Sequence, residues 1–211
     1  MSSITAIVIC KNEAHRLDRC LSALGFADEI VVFDSGSEDN SVEICRGYTD
    51  AVYVTDWPGY GQQKNRAIDK ATKDWILHVD ADEVVTPELA EQIKKVLALP
   101  EPKSAYSVPF HNYFCDRRVR FGAWGQSDVH VRLFQRQRGR YNERGVHEKL
   151  IVEGPVGRLR GALRHYTVHS FPQAILKMNT YALLAAQHRL ARGRSQGFFK
   201  AFLSIGWDLL Y

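Results

Sequence analysis

The chain has 211 residues, 45% hydrophobic and 25% charged, the balance of a soluble globular protein with one sizeable core. It has no apolar run long enough to span a bilayer, and its first residues enter a strand pattern without the basic start and cleavage site of a signal peptide. The net charge of +4 is uneven: residues 1–100 hold 10 Lys/Arg against 17 Asp/Glu, and residues 101–211 hold 18 against 7. The basic second half suits an anionic partner (phosphate, nucleic acid or an anionic membrane surface) or is a solvated basic face. The four cysteines, Cys10, Cys20, Cys45 and Cys115, make no CxxC pair and read as reduced core cysteines of a cytosolic protein.

In chain order, residues 4–10 read as a buried strand, broken by Lys11-Asn12-Glu13. Leu17, Cys20, Leu21 and Leu24 follow at i, i+3, i+4 and i+7, one face of an amphipathic helix. Residues 29–33 are a second apolar strand, ending in Asp34-Ser35-Gly36-Ser37. Asp39 or Asn40 caps a helix to about Gly47, residues 51–54 form a third strand, residues 57–61 a loop and residues 62–72 a helix. The apolar run from Trp75 then ends in Asp80-Ala81-Asp82-Glu83. Thr86 is an N-cap with Pro87 at the first helical position of a helix over 87–99.

Side chains two apart on a strand share a face, so Asp80 and Asp82 are expected to point the same way. Two like charges on one face repel, and a hard divalent cation shared with a substrate's phosphates relieves that. The alternative is acidity leading into the next helix, which explains Glu83 but not Asp80. Strand–helix alternation with apolar strands predicts an α/β fold built on a parallel sheet covered on both faces. Such sheets bind ligands beyond the carboxyl ends of their strands. Three strand ends carry the polar residues: Lys11, Asn12 and Glu13; Asp34; and Asp80 with Asp82. Gly59-Tyr60-Gly61 lacks the third glycine of a dinucleotide fingerprint and follows the wrong strand for one.

Beyond Pro100 the pattern changes. Residues 105–114, 129–135 and 146–152 read as strands, added antiparallel to the sheet or forming a small β lobe. Residues 170–192 and 197–211 read as helices. The second has an aromatic and aliphatic face near Arg192, Arg194 and Lys200. It is either an interfacial helix on an anionic leaflet or a helix packed on the catalytic domain or a second subunit. Trp124 suits stacking on a sugar or filling a core, and Lys177, near Tyr181, suits contacting a phosphate or standing in solvent. His147, His165 and His169 do not have zinc-site spacing.

The segments Ile-Val-Ile-Cys-Lys-Asn-Glu (7–13), Val-Val-Phe-Asp-Ser-Gly-Ser (31–37), Gly-Gln-Gln-Lys-Asn-Arg-Ala (61–67) and His-Val-Asp-Ala-Asp-Glu (78–83) together resemble family 2 glycosyltransferases of the GT-A fold. Val-Arg-Leu-Phe (131–134), Val-His-Glu (146–148) and His-Tyr-Thr (165–167) are similar to the small bacterial branch that includes lipopolysaccharide-core β-1,4-glucosyltransferases. The resemblance implies a mostly parallel Rossmann-like sheet with added antiparallel strands and C-terminal helices. It divides the chain into a nucleotide-sugar half (1–100), an acceptor half (101–170) and C-terminal helices with a membrane-associating role (171–211).

The resemblance also assigns residues. Asp34 hydrogen-bonds the donor's nucleobase or ribose, and Lys11, Asn12 and Glu13 line the same pocket. Lys64 and Asn65 face the nucleotide and its phosphates. Asp80 and Asp82 form a DxD motif, with Asp82 the direct ligand of Mg²⁺ or Mn²⁺, Asp80 at the ribose or metal, and His165 a further ligand; Glu83 supports the following loop. A metal there neutralises the diphosphate leaving group. An attacking hydroxyl then needs a base. Glu148 is the first choice and Asp128 the second, with a structural ion pair as the competing reading of Glu148. Arg132 holds the acceptor loop or touches phosphate.

The expected activity is inverting transfer of a hexose, from UDP-glucose, to a saccharide or lipid-linked saccharide acceptor such as the lipopolysaccharide inner core. The expected location is cytoplasmic and peripheral on the inner membrane. The rivals are a sugar-phosphate nucleotidyltransferase, which normally opens with a glycine-rich basic loop absent here, and a non-catalytic nucleotide-sugar or glycan-binding protein. No nucleic-acid motif accompanies the basic half.

Overall fold

In the computed structural model, which describes residues 2–121, 129–142, 148–168, 172 and 174–176, strand and helix alternate through the first hundred residues. They are β1 (Ile4–Cys10), α1 (Ala14–Ser22), β2 (Glu29–Asp34), α2 (Ser41–Arg46), β3 (Val52–Val54), α3 (Tyr60–Lys70), β4 (Trp75–Asp80), β5 (Glu83–Val85) and α4 (Pro87–Leu97). Strands then dominate: β6 (Ala105–Phe114), β7 (Arg117–Arg118), β8 (Val129–Gln135), β9 (Gly139–Tyr141), β10 (Leu150–Val152), β11 (Val156–Arg158) and β12 (Leu163–Val168). Among the described residues no helix is long and apolar enough to cross a membrane.

Every residue of β1 is buried, as a strand covered on both faces must be. Ile4, Ala6, Val8 and Cys10 enter one core layer with Leu17, Cys20 and Leu21 of α1 and Leu89, Ile93 and Leu97 of α4. Ile7 and Ile9 face the other, with Val31 and Phe33 of β2 and Ala67 and Ile68 of α3. β4 divides the same way: Trp75, Leu77 and Val79 join the α1/α4 layer and Ile76 the α3 layer. By alternation, His78 and Asp80 lie on the α3 side.

The chain forms two compact units. The first comprises residues 1–110 and 128–165, the second residues 111–127 and 166–211. In the first, β3, β2, β1 and β4 are parallel neighbours in that order. β8 runs antiparallel to β4 and β6 antiparallel to β8, so the chain's second half extends the sheet. β5 pairs with the start of β12, opposing Glu83 to His165, and β9 with β10. In the second unit Tyr113 and Phe114 pair with Arg118 and Arg117 across Cys115 and Asp116, whose positive φ of 46° and 61° is what a two-residue hairpin turn of this hand requires.

Several expectations are corrected. β4 stops at Asp80, and Ala81-Asp82 form a turn, so the two-residue strand rule does not carry from Asp80 to Asp82. Glu83 lies in a strand, β5, rather than in a loop. α3 begins at Tyr60, not 62. Gly59 precedes it with φ of 116°, and a Cβ on Gly61 would run into the Asn142 carbonyl. Cys10, Cys20 and Cys45 are buried, but Cys115 is exposed at the hairpin turn. The expected helices over 170–192 and 197–211, and Asp128, Trp124, Glu143, His147, His169, Lys177 and Tyr181, lie outside the described residues; Pro172 and Ala174–Leu176 are helical.

Candidate active site

The loops after β1 and β2 hold each other. Asn12, at φ of 55°, is a residue type that tolerates the left-handed region. Its N–H donates to Ser37 Oγ at 2.8 Å and its Oδ1 accepts from Glu38 N at 2.8 Å. Glu13 N donates to Ser41 Oγ at 2.9 Å. Asp34 is fully buried. Its Oδ1 accepts from Gly36 N at 3.0 Å and Ser37 N at 2.8 Å, and its Oδ2 from Ser37 Oγ. Its carboxylate therefore shapes the Ser35–Ser37 loop. Lys11 is exposed beside it.

At the end of β4, Asp80 stands among three cationic or polar neighbours. Arg132 Nη2 of β8 donates to Asp80 Oδ2 at 2.7 Å and to Glu83 Oε1 at 2.5 Å. His78 Nε2 is 3.0 Å from Asp80 Oδ1, and Lys64 Nζ is 4.0 Å from the same oxygen. Asp80 N donates to Glu83 Oε2 at 2.9 Å. Burial opposes the Asp80 charge, but Arg132, His78 and Lys64 outweigh it and hold the carboxyl well below its ordinary range. Glu83 is driven the other way: burial, aided by the charge of Asp80 and opposed by Arg132, pushes its carboxyl well above the ordinary range. Two carboxylates share one guanidinium, and the more exposed one keeps the charge. His78 is fully buried; burial and the Arg132 charge push it down to about 3, so its ring is neutral. Arg132 thus binds the strand-end carboxylates, in place of the acceptor loop or phosphate expected of it.

Asp82 meets different partners: Arg16 Nη1 of α1 at 3.5 Å and His165 Nε2 of β12 at 3.4 Å. That second spacing lets one divalent ion with bonds of about 2.1 Å touch both Asp82 Oδ2 and His165 Nε2. Among the described residues no group of three or more His, Cys, Asp or Glu is arranged to hold a metal ion. The donor set therefore fits a hard cation that takes two protein ligands and fills its remaining positions from substrate oxygens and water, the habit of Mg²⁺ at phosphate sites. Asp80, with Arg132 on one oxygen and His78 on the other, is less available than Asp82.

Lys64 and Asn65 of α3 diverge. Lys64 is buried and donates to Glu148 Oε1 at 2.6 Å, with its ammonium 5.1 Å from the Tyr141 ring centre and 5.7 Å from that of Tyr60. The ion pair left open for Glu148 is therefore present, and its partner is a lysine that also faces Asp80. Asn65 turns to β9: its Nδ2 donates to Tyr141 O at 2.9 Å and its Oδ1 accepts from Tyr141 N at 2.9 Å. Both ends of its amide are used on backbone, away from a nucleotide. Sequence reasoning missed Tyr141, whose hydroxyl lies 2.8 Å from His78 Nδ1, and Arg16. Neither sits in a segment with a legible motif, and only the fold brings them to β4.

The family model described as glycosyl transferase family 2 matches residues 5–167. The lipopolysaccharide core biosynthesis glycosyltransferase LpsC of Rhizobium meliloti (strain 1021) is 31% identical over 210 residues, covering 93% of this chain and 75% of LpsC. An uncharacterized glycosyltransferase of Rickettsia felis is 27% identical over 229 residues, covering 98% of this chain and 77% of its own. Among solved structures, TarS 1-349 of S. aureus superposes with a TM-score of 0.57 at 15% identity, over 78% of this chain and 60% of TarS. The chain thus spans less than two thirds of that TarS chain, and the likeness is one of fold. The family match runs from β1 into β12 and takes in every strand end that bears on Asp80 and Asp82, so the chain belongs to glycosyl transferase family 2 and is a glycosyltransferase of the GT-A fold.

Proposed function

We propose that the protein transfers a hexose, with inversion, from a uridine diphosphate sugar such as UDP-glucose to a saccharide acceptor of the lipopolysaccharide core type, with Mg²⁺ or Mn²⁺ at Asp82. The observation that carries this is the convergence at the end of β4. Lys64 Nζ stands between Glu148, at 2.6 Å, and Asp80, at 4.0 Å, with Asp82 and His165 alongside in the turn after the strand. A cation, a pair of strand-end carboxylates and a further carboxylate from the second half surround one place, which is the set of charges a diphosphate leaving group and an attacking hydroxyl need.

In this reading the loops after β1 and β2, with Lys11, Asn12, Glu13 and Asp34, border the nucleoside. Asp82 and His165 hold the cation, which neutralises the charge that develops on the departing diphosphate. Lys64 meets the same phosphate oxygens from α3. Asp80, anchored by Arg132 and His78, faces the ribose. Glu148 carries the Lys64 pair on Oε1, which leaves Oε2 to take the proton of the acceptor hydroxyl as that oxygen bonds to the anomeric carbon and the bond to diphosphate breaks. Identity to LpsC favours a lipopolysaccharide-core acceptor. TarS has been solved with UDP-GlcNAc, which makes uridine donors the first to try. Residues 171–211 are the proposed contact with an anionic membrane surface.

UDP release from UDP-glucose with Mn²⁺, measured for the native chain and for Asp82→Ala, tests this reading. Slow release without acceptor, lost in the variant, is expected. Equal release by a folded Asp82→Ala protein contradicts the assignment of Asp82.

A further inference from the structure

A run of hydrogen bonds connects α3 to the end of β4 through the chain's second half. Asn65 grips the backbone of Tyr141 at both its N–H and its carbonyl, each at 2.9 Å. This fixes where the Tyr141 side chain leaves β9. The Tyr141 hydroxyl reaches His78 Nδ1 at 2.8 Å, and the two rings pack edge to face at 5.4 Å. His78 Nε2 in turn lies 3.0 Å from Asp80 Oδ1. Tyr141 and His78 are buried, so exposed water does not compete for these contacts.

The partners decide where the imidazole proton sits. Arg132 Nη1, which can only donate, lies against Nδ1. Nδ1 therefore accepts, and the Tyr141 hydroxyl is free to donate to it as well. Asp80, ionised, can only accept, so Nε2 must donate. A buried ring held this way behaves like the outer partners that orient metal and substrate carboxylates, whose loss typically weakens binding by 10–100-fold. We propose that Asn65, Tyr141 and His78 are positioning residues: they form one chain that holds His78 as the Nε2–H tautomer and thereby sets the Asp80 carboxylate that the donor meets.

The proposal deepens the reading of Asp80 as a donor-binding carboxylate and rests on it for its functional consequence, but not for its tautomer. A further consequence separates positioning from packing. If His78 only filled space, His78→Leu would be the milder change, because it buries no polar group. If His78 orients Asp80, His78→Gln is milder, because its amide N–H can occupy the place of Nε2–H.

The test has two arms on the full chain. In the first, two-bond ¹⁵N–¹H correlation on ¹⁵N-histidine-labelled protein reads the His78 ring, assigned by its absence in His78→Gln. The Nε2–H tautomer is expected in the native protein, with the Nδ1 resonance displaced in Tyr141→Phe. An Nδ1–H ring, a charged ring, or a mixture of tautomers overturns the proposal. In the second arm, calorimetry measures affinity for UDP with Mn²⁺. Losses of about tenfold or more are expected for Tyr141→Phe and His78→Leu, with His78→Gln closer to native. Native affinity in folded Tyr141→Phe and His78→Leu overturns the positioning role. If the native protein binds no UDP, the donor assignment fails instead, and the ring's tautomer still decides whether the chain exists.

Discussion

Glu148 is the residue on which the chemistry and the ion pairing meet. Glu148→Gln keeps a hydrogen-bond acceptor for Lys64 and removes the proton-accepting carboxylate. The expected result is UDP binding close to native, with turnover of UDP-glucose onto an acceptor glycan down about 10²–10⁴-fold. Undiminished turnover in a steady-state assay would make Glu148 a structural partner of Lys64 and nothing more. At this scale the sequence was informative about identity but not about orientation. Asp80, Asp82 and Lys64 were legible as residue types at a strand end and in a helix. That Asp34 spends both oxygens on its own loop, and Asn65 both amide ends on Tyr141, was not, because side-chain partners tens of residues away leave no periodicity.

The elements follow from burial and capping, and two of them offer direct tests. Thr86 Oγ1 accepts from Leu89 N at 3.2 Å and donates to Ala162 O at 2.9 Å, so it both caps α4 and ties it to the segment before β12. Thr86→Ala is expected to cost about 1–2 kcal/mol in denaturant unfolding; no change in midpoint would show the cap to be idle. Glu29, in β2, accepts from Thr5 Oγ1, from Thr72 N at 2.8 Å and from Thr72 Oγ1 at 2.9 Å. Burial tends to raise its carboxyl, but these bonds and Lys73 lower it overall. A lowered folded value means the stabilisation is complete above the ordinary glutamate value and is lost as pH falls through the folded one. Glu29→Gln is therefore expected to destabilise the protein at neutral pH, with the gap to native closing in acid; a gap independent of pH would contradict it. β1, β6, β8 and the cap of α4 were legible from apolar runs and turn chemistry. β5, β7, β9, β11 and β12 were not, since they are short or, like β12 with Arg164 and His165 inside it, of mixed polarity. Pairing partners, such as Glu83 opposite His165, made them strands.

For the whole molecule, alternation of strand and helix up to α4 announced a parallel sheet, and the strand-end residues announced where a ligand would meet it. The change of pattern after Pro100 announced antiparallel additions, which β6 and β8 are. What composition could not convey is how the second half returns to the first. Arg132, Tyr141, Glu148 and His165 all come from beyond residue 130 and all bear on Asp80, Asp82 or Lys64. The basic excess of that half is thus drawn partly into the carboxylate site, where Arg132 offsets two acids that burial would otherwise disfavour.

The central claim is that this carboxylate end of the sheet binds a nucleoside diphosphate through a divalent ion. Calorimetric titration of the native chain with UDP, ADP and GDP, each with Mn²⁺ and again with EDTA, tests it most directly. Binding of UDP that requires Mn²⁺ and disappears with EDTA is the predicted result. Absence of binding by every one of the three nucleotides, in protein shown to be folded, would contradict it.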